Sequence, residues 1–288
     1  MAVRKKVLCF CVVAMLCGCA YLDQLPLPPQ PATPPVVVDP PPVESEVARA
    51  PWLVNPSTVQ ARYGHKEWCL WEAMRFSDDV LDAWITYIKS RGGNSAFMAL
   101  SHTRAGISPY KSGFSGEFSD SKIAHYRSVV KRFNDAGITP MVGLFDDQPS
   151  FHKAKAEHPR YIAKMVESMR GLLVTLCTAM EPEEFWSPAY GDQVAQMLKA
   201  NGVKRVFVHS TQERFLTEHV DGLLFEWGHP RGGNTLSPAS MRARFADMIA
   251  RHPGKEVWAW EWTWFEDNPI TIQQADACIE AGCKGVGQ

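Results

Sequence analysis

Residues 171–181 read Gly-Leu-Leu-Val-Thr-Leu-Cys-Thr-Ala-Met-Glu: a glycine, an apolar run, and an acid where the run stops. Glycine tolerates the left-handed conformation that closes a helix, so the stretch predicts a helix ending at Gly171 and a strand over Leu172–Thr178. Successive side chains of a strand face opposite sides. Leu173, Thr175, Cys177 and Ala179 make a face slim enough for a crowded interior, and Glu181 continues it. Leu172, Val174 and Leu176 make the face that suits packing under helices.

The same order of signals recurs on both sides of this stretch. Gly92-Gly93, Gly137, Gly202, Gly222, Gly254 and Gly282 each precede a short apolar run: Ala96–Leu100, Pro140–Phe145, Arg205–Val208, Leu223–Glu226, Val257–Trp262 and Gly285-Val286. Between them apolar residues recur at the 3.6-residue period. Val80, Leu81, Trp84, Ile85 and Ile88 form one stripe behind Ser77 as N-cap, and Ile123, Tyr126, Val130 and Phe133 form a second. Met241, Phe245, Met248 and Ile249 form a third, opened by Ser237 with Pro238 at the first helical position. A strand around Trp68–Trp71 precedes the first helix. Eight strands alternating with about seven helices predict an α/β (β/α)8 TIM barrel over residues 52–288. The competing doubly wound sheet lacks a glycine-rich phosphate fingerprint after an early strand, and nothing in the sequence asks for a cofactor. No helix follows the eighth strand, so either Trp52–Lys66 covers that flank or the barrel is unusual there.

The first fifty residues read differently. Arg4, Lys5 and Lys6 precede a short apolar run, Val7–Leu16, too short to span a bilayer. Leu16-Cys17-Gly18-Cys19 resembles the bacterial lipobox. The resemblance implies a signal peptide over 1–18, cleavage before Cys19 and lipidation of that cysteine. With Ala20 next, it implies an exported protein anchored at the envelope, at the outer membrane of a Gram-negative cell. The alternatives are an ordinary secretory signal or an uncleaved anchor. Residues 19–51 carry Pro26, Pro28, Pro29, Pro31, Pro34, Pro35, Pro40, Pro41 and Pro42, a composition that extends as polyproline II and builds no core. The segment reads as a tether, with a proline-rich ligand as the other reading.

A formal net charge of −1 and no basic run give a nucleic-acid or anionic-membrane partner no electrostatic support; contact with the membrane is expected through the N-terminal lipid only. The sequence carries no signal of oligomeric state. Cys69, Cys177, Cys278 and Cys283 show neither CxxC spacing nor a metal-type cluster. They read as buried free thiols, with a Cys69–Cys283 disulfide as the alternative if the first and last strands are neighbours.

In a barrel the chemistry gathers at the C-terminal ends of the strands. On the seventh run Trp258, Trp260 and Trp262 share one parity, and Val257, Ala259 and Glu261 the other. Three indoles overfill one wall of an eight-stranded lumen, so the indoles are expected against the helices and Glu261 inward, across the ring from Glu181. A pair of carboxylates, one kept protonated and one ionised, is what glycoside hydrolysis needs.

This register resembles the retaining glycoside hydrolases of the (β/α)8 type. The resemblance implies a carbohydrate substrate, with Glu181 as acid/base ending the fourth strand and Glu261 as nucleophile ending the seventh. Met180 stands where the largest such clan has asparagine. Glu184, in the run Glu181-Pro182-Glu183-Glu184, is an alternative acid, and Glu226 an alternative partner carboxylate. Paired with Arg75 or Arg104, the two glutamates would instead be rim residues of a non-catalytic glycan-binding barrel. Trp71, Trp186, Trp227 and Trp264 fall beyond strand ends, where indoles stack on sugar rings. Asp146, Asp147, His102 and His209 are candidate hydrogen-bonding partners of the substrate. His102 and His209 with an aspartate could also serve a metal-dependent hydrolase, although Trp68–Trp71 offers no ligand pair, and no metal site is assigned. No GxSxG elbow occurs.

Overall fold

The structure is a computed structural model that describes residues 52–53, 70–90, 93–102, 106–145, 154–226, 236–260 and 272–287. Within the unit Glu44–Gln288, eight parallel strands close into a barrel in chain order. They are β1 (Trp52–Leu53), β2 (Ser95–Ala99), β3 (Thr139–Phe145), β4 (Thr175–Met180), β5 (Val206–Ser210), β6 (Gly222–Glu226), β7 (Glu256–Trp260) and β8 (Gly285–Gly287). Among the described residues six α-helices lie between them: α1 (Asp78–Ser90), α2 (Asp120–Asp135), α3 (His158–Met169), α4 (Pro188–Ala200), α5 (Pro238–Arg251) and α6 (Ile272–Glu280). The fold is the (β/α)8 barrel that the register predicts.

Local chemistry explains the helix starts. Ser119, Ser187 and Ser237 take extended backbone conformations, and their hydroxyls accept from Lys122, Tyr190 and Ser240 N–H. Pro188 and Pro238 sit at first helical positions, where a missing N–H costs nothing. Each helix buries a stripe. Trp84 of α1 and Phe133 of α2 are fully enclosed in the layer between helices and strands, where truncation to alanine costs about 3–5 kcal/mol.

Three expectations need correction. The first strand is not Trp68–Trp71: Leu70–Arg75 is a 3-10 helix, and β1 is Trp52–Leu53, paired with β8 and β2. Trp52 therefore opens the barrel itself rather than covering its last flank. Gly222 ends no helix. It begins β6, and the β5–β6 connection carries only the 3-10 turn Glu213–Phe215. Phe215, Leu216 and Val220 of that connection are buried against the strands. Gly191 in α4 admits Phe215, since a Cβ there would lie 3.2 Å from the ring.

The third correction concerns the lumen. Its apolar filling is Phe97, Ala99, Met141, Cys177, Met180, Phe207, Leu224, Trp258 and Trp260, whereas Val257 and Ala259 join the outer layer. The β7 indoles thus point inward, opposite to expectation. Room for them comes from glycine on neighbouring strands. A Cβ on Gly285 would meet the Trp258 ring at 2.2 Å, and one on Gly222 would meet Phe207 at 2.3 Å. On β4 the alternation holds through Cys177 and then slips. Its register with β5 shifts between Cys177 and Met180, which puts Met180 in the lumen and Ala179 in the outer layer.

Candidate active site

Glu181 follows the register shift at the end of β4. Bulges of this kind re-aim side chains beside active sites. Among the described residues Glu181 is the one non-glycine with positive φ, at 41°, a conformation that costs an L-residue on the order of 1–2 kcal/mol. Its N–H donates to the His209 carbonyl at 2.9 Å, and the residue is 8% exposed. The strict parity that first pointed to Glu181 does not survive the shift, but its place at the strand end does.

The 3-10 turn Pro182–Glu184 follows. Within it Glu183 accepts from Ser210 Oγ at 2.7 Å and from Thr211 N–H and Oγ1 at 2.6 and 2.5 Å. That carboxylate, not singled out from the sequence, ties the β4 exit to the β5 exit. The alternative acid, Glu184, is exposed on the same turn.

His209 and Glu226 meet inside the lumen. Nε2 lies 3.3 Å from Oε2, with side-chain exposures of 1% and 0%. Phe97 and Trp260 pack on the imidazole at centroid distances of 5.7 and 6.2 Å. The ring nitrogens and both carboxylate oxygens are closed off from solvent. Glu226 is therefore a buried companion of His209.

The other candidates separate. Trp71 is half-buried against the lumen cluster. Trp186 does not keep the role expected of it. It is 5% exposed, with Phe145 and Tyr190 edge-on at 5.3 Å each and His158 at 5.8 Å. His158, fully buried, has Nδ1 2.8 Å from the Tyr190 hydroxyl. His102 is buried beyond β2, exchanging backbone hydrogen bonds with Ile107. Arg75 pairs with Glu72 at 3.3 Å. Glu261, Asp146, Asp147, Trp227, Trp264, Arg104, Cys69, Cys19 and the tether lie outside the described residues.

The Cys283 thiol is hydrogen-bonded to that of Cys278, while Cys69, its alternative partner, lies outside the described residues. Burial pushes the lumen thiol of Cys177 up, so it stays protonated. Among the described residues no group of three or more His, Cys, Asp or Glu could hold a metal ion. No described helix is long and apolar enough to cross a membrane.

No family model matches the chain, and no curated protein does. Solved structures do match. A GH5_18 protein from Bifidobacterium longum subsp. longum aligns with TM-score 0.58 and 12% identity over 83% of this chain and 69% of its own. The endo-β-1,4-mannanase from Thermotoga petrophila aligns with TM-score 0.56 and 12% identity over 75% of this chain and 65% of its own. A Bacteroides vulgatus protein aligns with TM-score 0.53 and 13% identity over 74% of this chain, which spans only 48% of that protein. At such identities the likeness shows the fold, a (β/α)8 barrel of the kind that glycoside hydrolases use.

Proposed function

We propose that this barrel is a carbohydrate-active enzyme, a retaining glycoside hydrolase acting on a polysaccharide or oligosaccharide at the cell envelope. The observation that carries the reading is Glu181. It is a carboxylate at the C-terminal end of β4, on a backbone strained into the left-handed region and held there by the β5 carbonyl. Strain of this kind gathers at functional sites, where the surroundings must over-determine it. Glu181 protonates the glycosidic oxygen while Glu261 attacks the anomeric carbon. Water then releases the sugar with Glu181 acting as base. Trp71 offers the sugar ring an apolar face at the mouth. Cys19, acylated after cleavage of the signal, tethers the barrel through the proline-rich segment.

The test is release of reducing ends from β-1,4-mannans and β-1,4-glucans, the substrates for which the mannanase above and a hyperthermophilic endo-β-1,4-glucanase of similar fold are named. The product anomer is followed by NMR. Glu181→Gln and Glu261→Gln should each lower kcat by about 10²–10⁴-fold, whereas a barrel that binds these glycans without cleaving any is a binding module and ends the enzyme reading. Labelled palmitate should enter the intact chain and not Cys19→Ala.

A further inference from the structure

The end of α6 is closed by a paired hydrogen-bond clasp. Cys283 N–H donates to the Cys278 carbonyl at 3.1 Å, and Gly282 N–H to the Ile279 carbonyl at 2.9 Å. Gly282 takes φ +103° between them. This Schellman arrangement brings the side chains at its two outer positions together, and here both are cysteines. Cys278 is 0% and Cys283 4% exposed, both are free thiols, and one is hydrogen-bonded to the other. Standard bond lengths on either side of the N–H···O contact keep the two Cα atoms within about 7 Å, close to the roughly 4.4–6.8 Å that a disulfide spans.

We propose that Cys278 and Cys283 form a disulfide-forming modification site, a covalent staple between the end of α6 and the start of β8. The staple sits beside the seam that closes the ring, since β8 pairs with both β7 and β1. The co-reactant is a low-molecular-weight disulfide. Cys283, the less enclosed of the two, gives up its proton and attacks one sulfur of the small disulfide; a mixed disulfide forms and one small thiolate leaves. Cys278 then loses its proton and attacks the Cys283 sulfur, which expels the second small thiolate. The two protein thiols are oxidised, the small disulfide is reduced to two thiols, and the two protons pass to the departing thiolates. Hydrogen bonding to Cys283 and burial both push the Cys278 thiol up, and Cys283 is the more accessible of the two.

The full chain is equilibrated with excess oxidised glutathione, alkylated in denaturant and digested with trypsin without reduction. The peptide 256–284 should appear lighter by two hydrogens and unalkylated, with Cys177 alkylated. Cys278→Ser should leave a glutathione adduct on Cys283, an adduct that the unsubstituted chain resolves. A Cys69–Cys283 link overturns the proposal. So does full alkylation of both thiols after equilibration, or a glutathione adduct that persists on the unsubstituted chain.

Discussion

The amide of Glu181 is bound to the carbonyl of His209 at 2.9 Å, and that bond extends the β4–β5 ladder past the place where its register slips. The strand therefore ends one residue later than simple pairing allows, on a backbone turned into the left-handed region. His209 in turn presents its ring to Glu226, so one β5 residue serves the end of β4 through its main chain and the end of β6 through its side chain.

If the conformation at 181 is strained for the sake of the carboxylate, stability and activity should part company there. Glu181→Gly should be more stable than Glu181→Ala by about 1 kcal/mol, because glycine enters the left-handed region freely, and both should lack turnover. Urea unfolding of the two variants measures this; equal midpoints would place no strain at the site.

Glu183 is expected to matter for stability. Its carboxylate receives three hydrogen bonds from Ser210 and Thr211, and Glu183→Ala leaves the Thr211 donors without it at the β5 exit, where Ser210 Oγ keeps the Gln212 carbonyl at 3.2 Å. A loss of about 1–3 kcal/mol in unfolding free energy is expected.

Gly222→Ala and Gly285→Ala should be destabilised by about 1–3 kcal/mol or more through overpacking, since each new methyl meets a lumen ring at 2.3 or 2.2 Å. Combining Gly222→Ala with Phe207→Leu should recover part of the loss. Additive thermal shifts in that double variant would show that the ring is not what the methyl strikes.

Asp192 should give the protein an acid-sensitive component. Burial works to raise its carboxyl, but the backbone N–H of His219 at 2.9 Å, the Thr217 hydroxyl and the His219 ring, with Nδ1 at 2.8 Å, together outweigh it and hold the group below the ordinary aspartate value. A depressed folded-state value stabilises the fold at pH above the unfolded value of about 4. The contribution is lost as pH falls through the folded value. Asp192→Asn should be less stable than the parent at pH 7, with the difference shrinking below about pH 4 in urea titrations at each pH.

The barrel was legible because its signals are local and repeated. Ser237-Pro238 and the 3.6-residue stripes state their helices without reference to anything distant, and Ala96, Val142 and Val257 mark strands in the same way. The errors fall where a partner far along the chain decides. Nothing near Trp258 tells that Gly285, on the next strand, leaves space for an indole in the lumen. Nothing between Leu172 and Glu181 shows the register slip against β5, because a bulge is a property of two strands. Trp186 lies beyond a strand end, as a cleft indole does, but Phe145, His158 and Tyr190 converge on it from other elements and bury it. Glu183 is silent in the sequence for a related reason: in a run of three carboxylates, only the position of Ser210 and Thr211 tells which one is spoken for.

The missing helix between β5 and β6 reaches into the neighbouring one. Replacing glycine by alanine within a helix is a routine route to a sturdier protein, and Gly191 looks like an obvious target. Here its bare Cα faces the Phe215 ring, which a Cβ would approach to 3.2 Å, so an added methyl asks that ring to yield by a few tenths of an ångström. The outcome of that substitution is therefore decided by a residue of the β5–β6 connection, not by α4 on its own terms.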